Sequence, residues 1–384
     1  MHDVIVIGGG PAGLYAGRTL AKAGFDVAIF EEHVTSGQPV HCTGVLAADA
    51  FDEFDLPAES ILNPLRTVRF HSPSGEVVDY STPTTEAVVI DRARFDRRLA
   101  DRAALAGAQL SYGDRVTAVD VDSDGVTVTA GRTTARARAC ALACGASYAL
   151  QRKLGLGTPQ LLFHSAQAEL PAARLRDVEV HFGERIALRG FAWAVPVQRD
   201  RPYVRIGVMA ERHADRGFSR MIEEVAQRWG VELTDGCRPR QKILPLGPID
   251  RTFTDRVIAL GDAAGLVKPT TGGGIYYSLL SAALAADTFA EALRSNDLSA
   301  AALTGYQTRW RKRLGAELRW QLVLRRIARR LTDDDIDRLF ALARTDGLMP
   351  LMRSTAAFNH HREFIVALLK HPPARRILFR AALA

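Results

Sequence analysis

At 384 residues, 47% hydrophobic and 24% charged, the chain is long enough for two domains or one large domain with appendages, and its composition excludes intrinsic disorder. A formal charge of +7 favours anionic partners, and four cysteines in so long a chain exclude a disulfide-stapled scaffold. No stretch reaches the ~18–20 uninterrupted apolar residues of a membrane span, and the N-terminus carries no basic leader, so neither anchor nor signal peptide is expected.

Residues 3–32 are predicted to form a βαβ unit. Val4, Ile5, Val6 and Ile7 make a continuously apolar strand, a helix follows over 14–23, Gly24 ends it, and 27–30 is a second buried strand. Gly8, Gly10 and Gly13 lie between strand and helix, with Pro11 and Ala12 inside the pattern. The first glycine permits the tight turn, the second lets backbone approach a pyrophosphate, and the third allows close helix packing, while free N–H groups at the helix start face the anion. Glu31, with Glu32 beside it, ends the second strand where an acid can accept ribose hydroxyls.

Beyond Cys42-Thr43-Gly44 the pattern turns to short alternating runs over 65–89, read as antiparallel strands, then a helix over 94–105 behind Asp91-Arg92. Strands return over 113–142 around the turn 122–125. Cys140 and Cys144 are placed on one face of that strand and, with Cys42 and Cys237 far off, read as core residues; no metal is expected. Residues 161–246 alternate again, with strands near 178–182, 191–197 and 203–209 and a helix near 218–229. A strand and glycine-rich turn recur over 257–274, and the chain is helical from 275 onward.

The arginines at 309, 311, 313, 319, 325, 326, 329 and 330, with Lys312, crowd the last part of the chain. The run reads as a solvated helix face or as a surface for anionic lipid; nucleic acid is not expected. Trp320, Leu324, Ile327 and Leu331 recur at helical spacing beside them, and 364–369 adds a second apolar patch. Docking on a lipid monolayer and packing on a core fit this stripe equally.

Val257-Ile258-Ala259-Leu260-Gly261-Asp262-Ala263-Ala264 resembles the G-D motif of the flavoprotein monooxygenase and reductase superfamily, and Pro269-Thr270-Thr271-Gly272-Gly273-Gly274-Ile275 narrows the resemblance to the geranylgeranyl reductase family. The resemblance implies FAD as cofactor, Asp262 on its ribityl chain, and the amides of Gly272, Gly273, Gly274 and Ile275 against the reduced flavin. Phe191-Ala192-Trp193-Ala194-Val195-Pro196 is similar to that family's Y-x-W-x-F-P motif, which implies Phe191, Trp193 and Pro196 as walls of an apolar substrate tunnel. Cys42 and Gly44 match its cysteine-glycine element, and Arg92 matches an arginine that approaches cofactor phosphates. In Ala143-Cys144-Gly145-Ala146-Ser147, Gly145 fits the superfamily's A-D-G-A-x-S element, whereas Cys144 replaces the aspartate.

The expected fold is α/β, a Rossmann-like FAD-binding domain of the glutathione-reductase type in three pieces (1–64, 90–160 and 250–300). A mixed or antiparallel substrate domain (65–89 and 161–249) is inserted into it, and a basic helical region (301–384) follows. The expected activity is saturation of C=C bonds in a polyprenyl chain by hydride from reduced FAD, with Cys42, Trp193 and Gly273 as catalytic positions. Electrons come from NADPH or ferredoxin. The expected location is the cytoplasm, peripheral on the inner face of the membrane. A flavin monooxygenase or halogenase is the alternative, and an electron carrier to quinone the third reading.

Overall fold

The computed structural model describes residues 1–232, 238–345 and 347–383, so Cys237 lies outside the described residues. The apolar strand His2–Ile7 lies inside an eight-stranded sheet, paired in parallel with Val27–Glu31 on one side and Thr133–Leu142 on the other. Val4, Ile5 and Val6 are fully buried, as a strand covered on both faces requires. Gln109–Tyr112 and Val257–Ala259 extend the parallel set outward. Because these strands run the same way, the turns after Ile7, Glu31, Leu142 and Ala259 emerge at one edge, where such sheets bind ligands.

Helix Pro11–Lys22 packs against Ile275–Ser295 and Arg92–Leu105. Asp91 caps the last of these, its carboxylate accepting the Arg94 N–H at 3.0 Å. Val116–Val121 and Val126–Ala130 form a hairpin beside Thr133–Leu142, closed by Asp122, whose Oδ1 accepts the Asp124 and Gly125 amides, both at 2.8 Å. That strand ends at Leu142. Cys144 therefore does not share a strand face with Cys140; it sits in the following loop, its sulfur 3.5 Å from Gln151 Nε2.

A seven-stranded sheet runs in the order Arg240–Leu246, Leu161–Pro171, Pro202–Ala210, Phe191–Gln198, Val178–His181, Thr67–His71, Val77–Ser81. Helix Ala214–Trp229 covers one face through Phe218, Met221, Val225 and Trp229. Buried Glu179 ties this helix to the sheet, accepting from Trp229 Nε1 at 3.0 Å and Arg228 Nη2 at 2.8 Å. Burial alone would raise its pKa, but hydrogen bonds from His181 and Arg228 hold it at about 2. A small sheet of Val45–Ala47, Ala87–Ile90 and Ile61–Leu65 straddles the expected domain boundaries at 65 and 90.

Helix Ala300–Ala328 docks its first half on the main core through Leu303, Tyr306, Trp310, Leu314 and Leu318. Its second half, with Leu324, Ile327 and then Leu331, meets a separate small core built by Leu348, Leu368, Ala374 and Leu378, against which Phe364 and Leu369 also pack. The apolar stripe is thus covered by the chain's own last helices, so the lipid-facing reading of it is set aside. The basic run is partly internal as well: Arg309 pairs with Glu291, Arg329 with Glu211, and Arg325 is buried. Lys312, Arg319 and Arg326, spaced by seven, remain as an exposed stripe. Among the described residues no helix is long and apolar enough to cross a membrane.

Candidate active site

The turns at the sheet edge open into a cavity of about 960 Å³ shared with the inner face of the second sheet. Gly8 holds φ +114°, and a Cβ there would run into the Ala143 carbonyl; one on Gly13 would run into the Gly8 carbonyl. A Cβ on Gly10 meets nothing within 4 Å. Two of the three glycines are therefore demanded by packing, and the middle one leaves open space beside the backbone. Gly10 is also the N-cap of Pro11–Lys22, with no side chain capping the helix, so its first amides face the cavity free of protein side-chain acceptors. Glu31 stands beside them, Oε2 accepting the Gly9 N–H at 2.6 Å and Oε1 the His33 N–H at 3.0 Å.

The second glycine-rich start lies on the same cavity. Gly274 caps Ile275–Ser295, again with no side-chain cap, and Gly272 holds φ +72°. A Cβ on Gly274 would lie 2.8 Å from Asp262 Oδ1, so glycine there lets this carboxylate reach the helix start. Lys242 Nζ is 3.5 Å from Asp262 Oδ2. Every residue expected at the cofactor lines the cavity except Gly13 and Gly261. Those two sit behind the wall, where Gly261 lets Ser278 and Ala12 approach and so brings the two helix starts together.

The opposite wall is apolar. Strand alternation turns Phe191, Trp193 and Val195 toward the cavity beside Val178, Val180 and Leu244. Pro196 is a correction: it falls on the other face of the same strand, and Val195 takes the place expected for it. The Trp193 indole lies over Gly207, its register partner on the next strand, where any side chain would collide with the ring. Among the described residues its Nε1 is buried without a partner. Cys42 also lines the cavity; its Sγ accepts the Gly44 N–H at 3.3 Å and interacts with Arg92, whose guanidinium binds Asp96 in a fork at 2.7 and 3.1 Å. Next to it His41 is held below its ordinary pKa by burial and then by Lys242.

Among the cavity residues that escaped the sequence reading are Lys268, Phe358, Asn359 and His361. The last three arrive from the loop between helices Leu348–Thr355 and Arg362–Lys370, far along the chain from the glycines. His361 Nδ1 is 2.6 Å from Thr270 Oγ1, and buried Glu317 accepts the His361 and Arg362 amides at 2.9 and 3.1 Å. Arg325 binds the carbonyls of Pro269 and Arg189 at 2.7 and 3.1 Å and that of Thr270. Only Lys268 carried a signal, as a lone cation between an apolar run and the glycines.

A parallel strand set with two open helix starts on one cavity, acids beside them and an apolar opposite wall form the architecture of an FAD-dependent oxidoreductase. The chain matches the family model described as lycopene cyclase protein over residues 3–345. It is 32% identical to digeranylgeranylglycerophospholipid reductase 2 of Methanothermobacter thermautotrophicus over 88% of this chain and 90% of that one, and 28% identical to digeranylgeranylglycerophospholipid reductase of Methanocaldococcus jannaschii over the same shares. Among solved structures it resembles a geranylgeranyl bacteriochlorophyll reductase-like protein of Thermoplasma acidophilum (TM-score 0.85, 23% identity, 99% of both chains). It also resembles a variant of the halogenase PltM in complex with FAD (TM-score 0.71, 17% identity, 100% and 91%). The chain belongs to the family that the lycopene cyclase protein model describes and, within it, stands with the geranylgeranyl reductases.

Proposed function

We propose that this protein saturates C=C bonds in the polyprenyl chains of a digeranylgeranylglycerophospholipid-like lipid. The observation that carries this reading is the apolar wall of Phe191, Trp193 and Val195 in the same cavity as the Gly272–Gly274 helix start. FAD bound there in its reduced form would supply the hydride, with NADPH or ferredoxin as the source of its electrons. Gly10 and the amides behind it hold the pyrophosphate, Glu31 the ribose, and Asp262 the ribityl hydroxyls, which satisfy a carboxylate that burial would otherwise leave costly. Amides at Gly273 and Gly274 place partial positive charge where negative charge develops on reduction. An unactivated alkene offers no group to polarise, so Phe191 and Trp193 act by aligning the chain and excluding water.

The exposed stripe of Lys312, Arg319 and Arg326 suits the anionic surface in which such a substrate resides. The test is anaerobic turnover of the photoreduced, yellow holoenzyme with geranylgeranyl lipids. Products heavier by two hydrogens per bond support the reading. Addition of oxygen or halogen favours the halogenase-like alternative, and a colourless protein that takes up no FAD overturns both.

A further inference from the structure

Hydride addition to a double bond leaves the neighbouring carbon in need of a proton, and Lys268 on the cavity wall offers a source. The other cations on the cavity wall have carboxylate partners: Arg92 with Asp96, Lys242 with Asp262, and Arg115 with Glu32. Lys268 is 4% exposed and, among the described residues, has no carboxylate within 4 Å. Its Nζ donates to two neutral acceptors, the Phe358 carbonyl at 2.7 Å and Asn359 Oδ1 at 2.8 Å, and lies 4.6 Å from the Phe358 ring centroid and 5.7 Å from that of Tyr277. An ammonium has three donors, so these bonds leave one N–H over.

Its place is fixed by the glycine run. The Lys268 N–H donates to the Gly273 carbonyl at 3.0 Å, and the Gly272 N–H donates back to the Lys268 carbonyl at 2.8 Å. The side-chain stem then passes beside Gly273, with Cδ 3.8 Å from where a Cβ would stand. A buried ammonium without a counter-ion costs several kcal/mol, which a methionine of similar length would avoid. Burial pulls its pKa down to about 7, against the opposing pull of Glu317 and Asp49. The lysine can therefore both give and regain a proton near neutrality. Around it, burial and then Lys268 itself push His361 down to about 4, burial pushes Tyr277 up, and His360 lies beyond against Tyr276.

We propose that Lys268 is the catalytic acid of the reduction, its ammonium delivering the proton that completes addition across the double bond. The assignment rests on the activity proposed above. Hydride from the reduced flavin forms one C–H bond with its electron pair, an N–H bond of Lys268 breaks as the second C–H bond forms, and the neutral amine regains its proton from water when product leaves.

The test is single-turnover oxidation of reduced holoenzyme by a geranylgeranyl lipid from pH 5.5 to 9, for wild type, K268M and K268R, alongside an NMR titration of the ε-¹³C-lysine-labelled protein. The wild-type rate is expected to fall about tenfold per pH unit above an apparent pKa near 7, since the acid must be protonated. K268M loses about 100-fold or more, together with the inflection. K268R keeps the charge and the bound FAD but holds its proton at these pH values, so it is slowed to a similar degree; a purely structural or electrostatic cation would be rescued by arginine. One lysine resonance titrating near pH 7, absent from K268M, completes the expected set. K268R within threefold of wild type, an unaltered pH profile, or no lysine titrating between pH 6 and 8 overturns the assignment alone. Wild-type holoenzyme that reduces no geranylgeranyl chain overturns the proposed activity as well.

Discussion

The two glycine-rich helix starts face one cavity yet are built by different means. The first is largely local: Gly8, Gly13 and Glu31 shape a turn within about thirty residues beside the next strand, with Thr133–Leu142 and the Ala143 carbonyl as its one distant neighbour. The second is held from a distance. Arg325 from helix Ala300–Ala328 and Asn359 and His361 from the loop before helix Arg362–Lys370 reach back to the carbonyls and side chains of Lys268, Pro269 and Thr270, and Glu317 holds that loop through the His361 and Arg362 amides. A nucleotide turn must be rigid and needs only backbone to be so. A loop that must place a reactive group beside glycine is braced by a separate structural layer.

Removing the demanded space at the first start should have the largest effect. Gly13→Ala forces a Cβ into the Gly8 carbonyl, and we expect a loss of more than ~3 kcal/mol in stability and no retained FAD, read by thermal denaturation and flavin absorbance. Gly10→Ala points into open space from an ordinary backbone conformation, φ −84°. It should cost only a few tenths of a kcal/mol in stability, yet weaken FAD by about tenfold or more. Equal destabilisation by both changes would show that the turn is a packing device without a ligand role.

At the second start the vulnerable point lies fifty residues away. Arg325→Met strips donors from three carbonyls, two of them in the loop that carries the glycines, and should cost about 2–4 kcal/mol. The first start is untouched, so FAD should stay bound while turnover falls. Loss of FAD in a protein that still melts like wild type would contradict the division between the two.

That division also decides what the sequence could tell. Spacing, flanking apolar strands and an acid at the next strand's end exposed the first turn, because the residues that carry its pattern lie within about thirty positions, although the Ala143 carbonyl that demands Gly8 does not. Gly272–Gly274 was legible as a compact run of glycines, although the contacts that brace it come from far along the chain. Phe191 and Trp193 could be placed by a motif, but strand alternation sends Pro196 to the other face, a consequence of period two that a linear motif hides. Gly207, which makes room for the Trp193 indole, sits in an ordinary strand pattern. Arg325 and His361 could not be found at all: nothing in a run of arginines says which one turns inward, since that depends on how the last helices fold back.

The smallest expected effect belongs to the arginines and lysine that stayed outside. Lys312, Arg319 and Arg326 fall at seven-residue intervals on Ala300–Ala328, so they share one face of the helix that buries Arg325. Replacing all three with glutamine removes three positive charges and no buried contact, and stability should change by less than ~0.5 kcal/mol per site. Each basic side chain near an anionic surface contributes about 1 kcal/mol, so sedimentation with anionic liposomes at low salt should fall by about two orders of magnitude. Turnover of a short, detergent-dispersed geranylgeranyl substrate should be unchanged, because the cavity is not touched. Unaltered liposome binding would show that this helix serves only as the brace of the second glycine start, its outward charges answering to solvent alone.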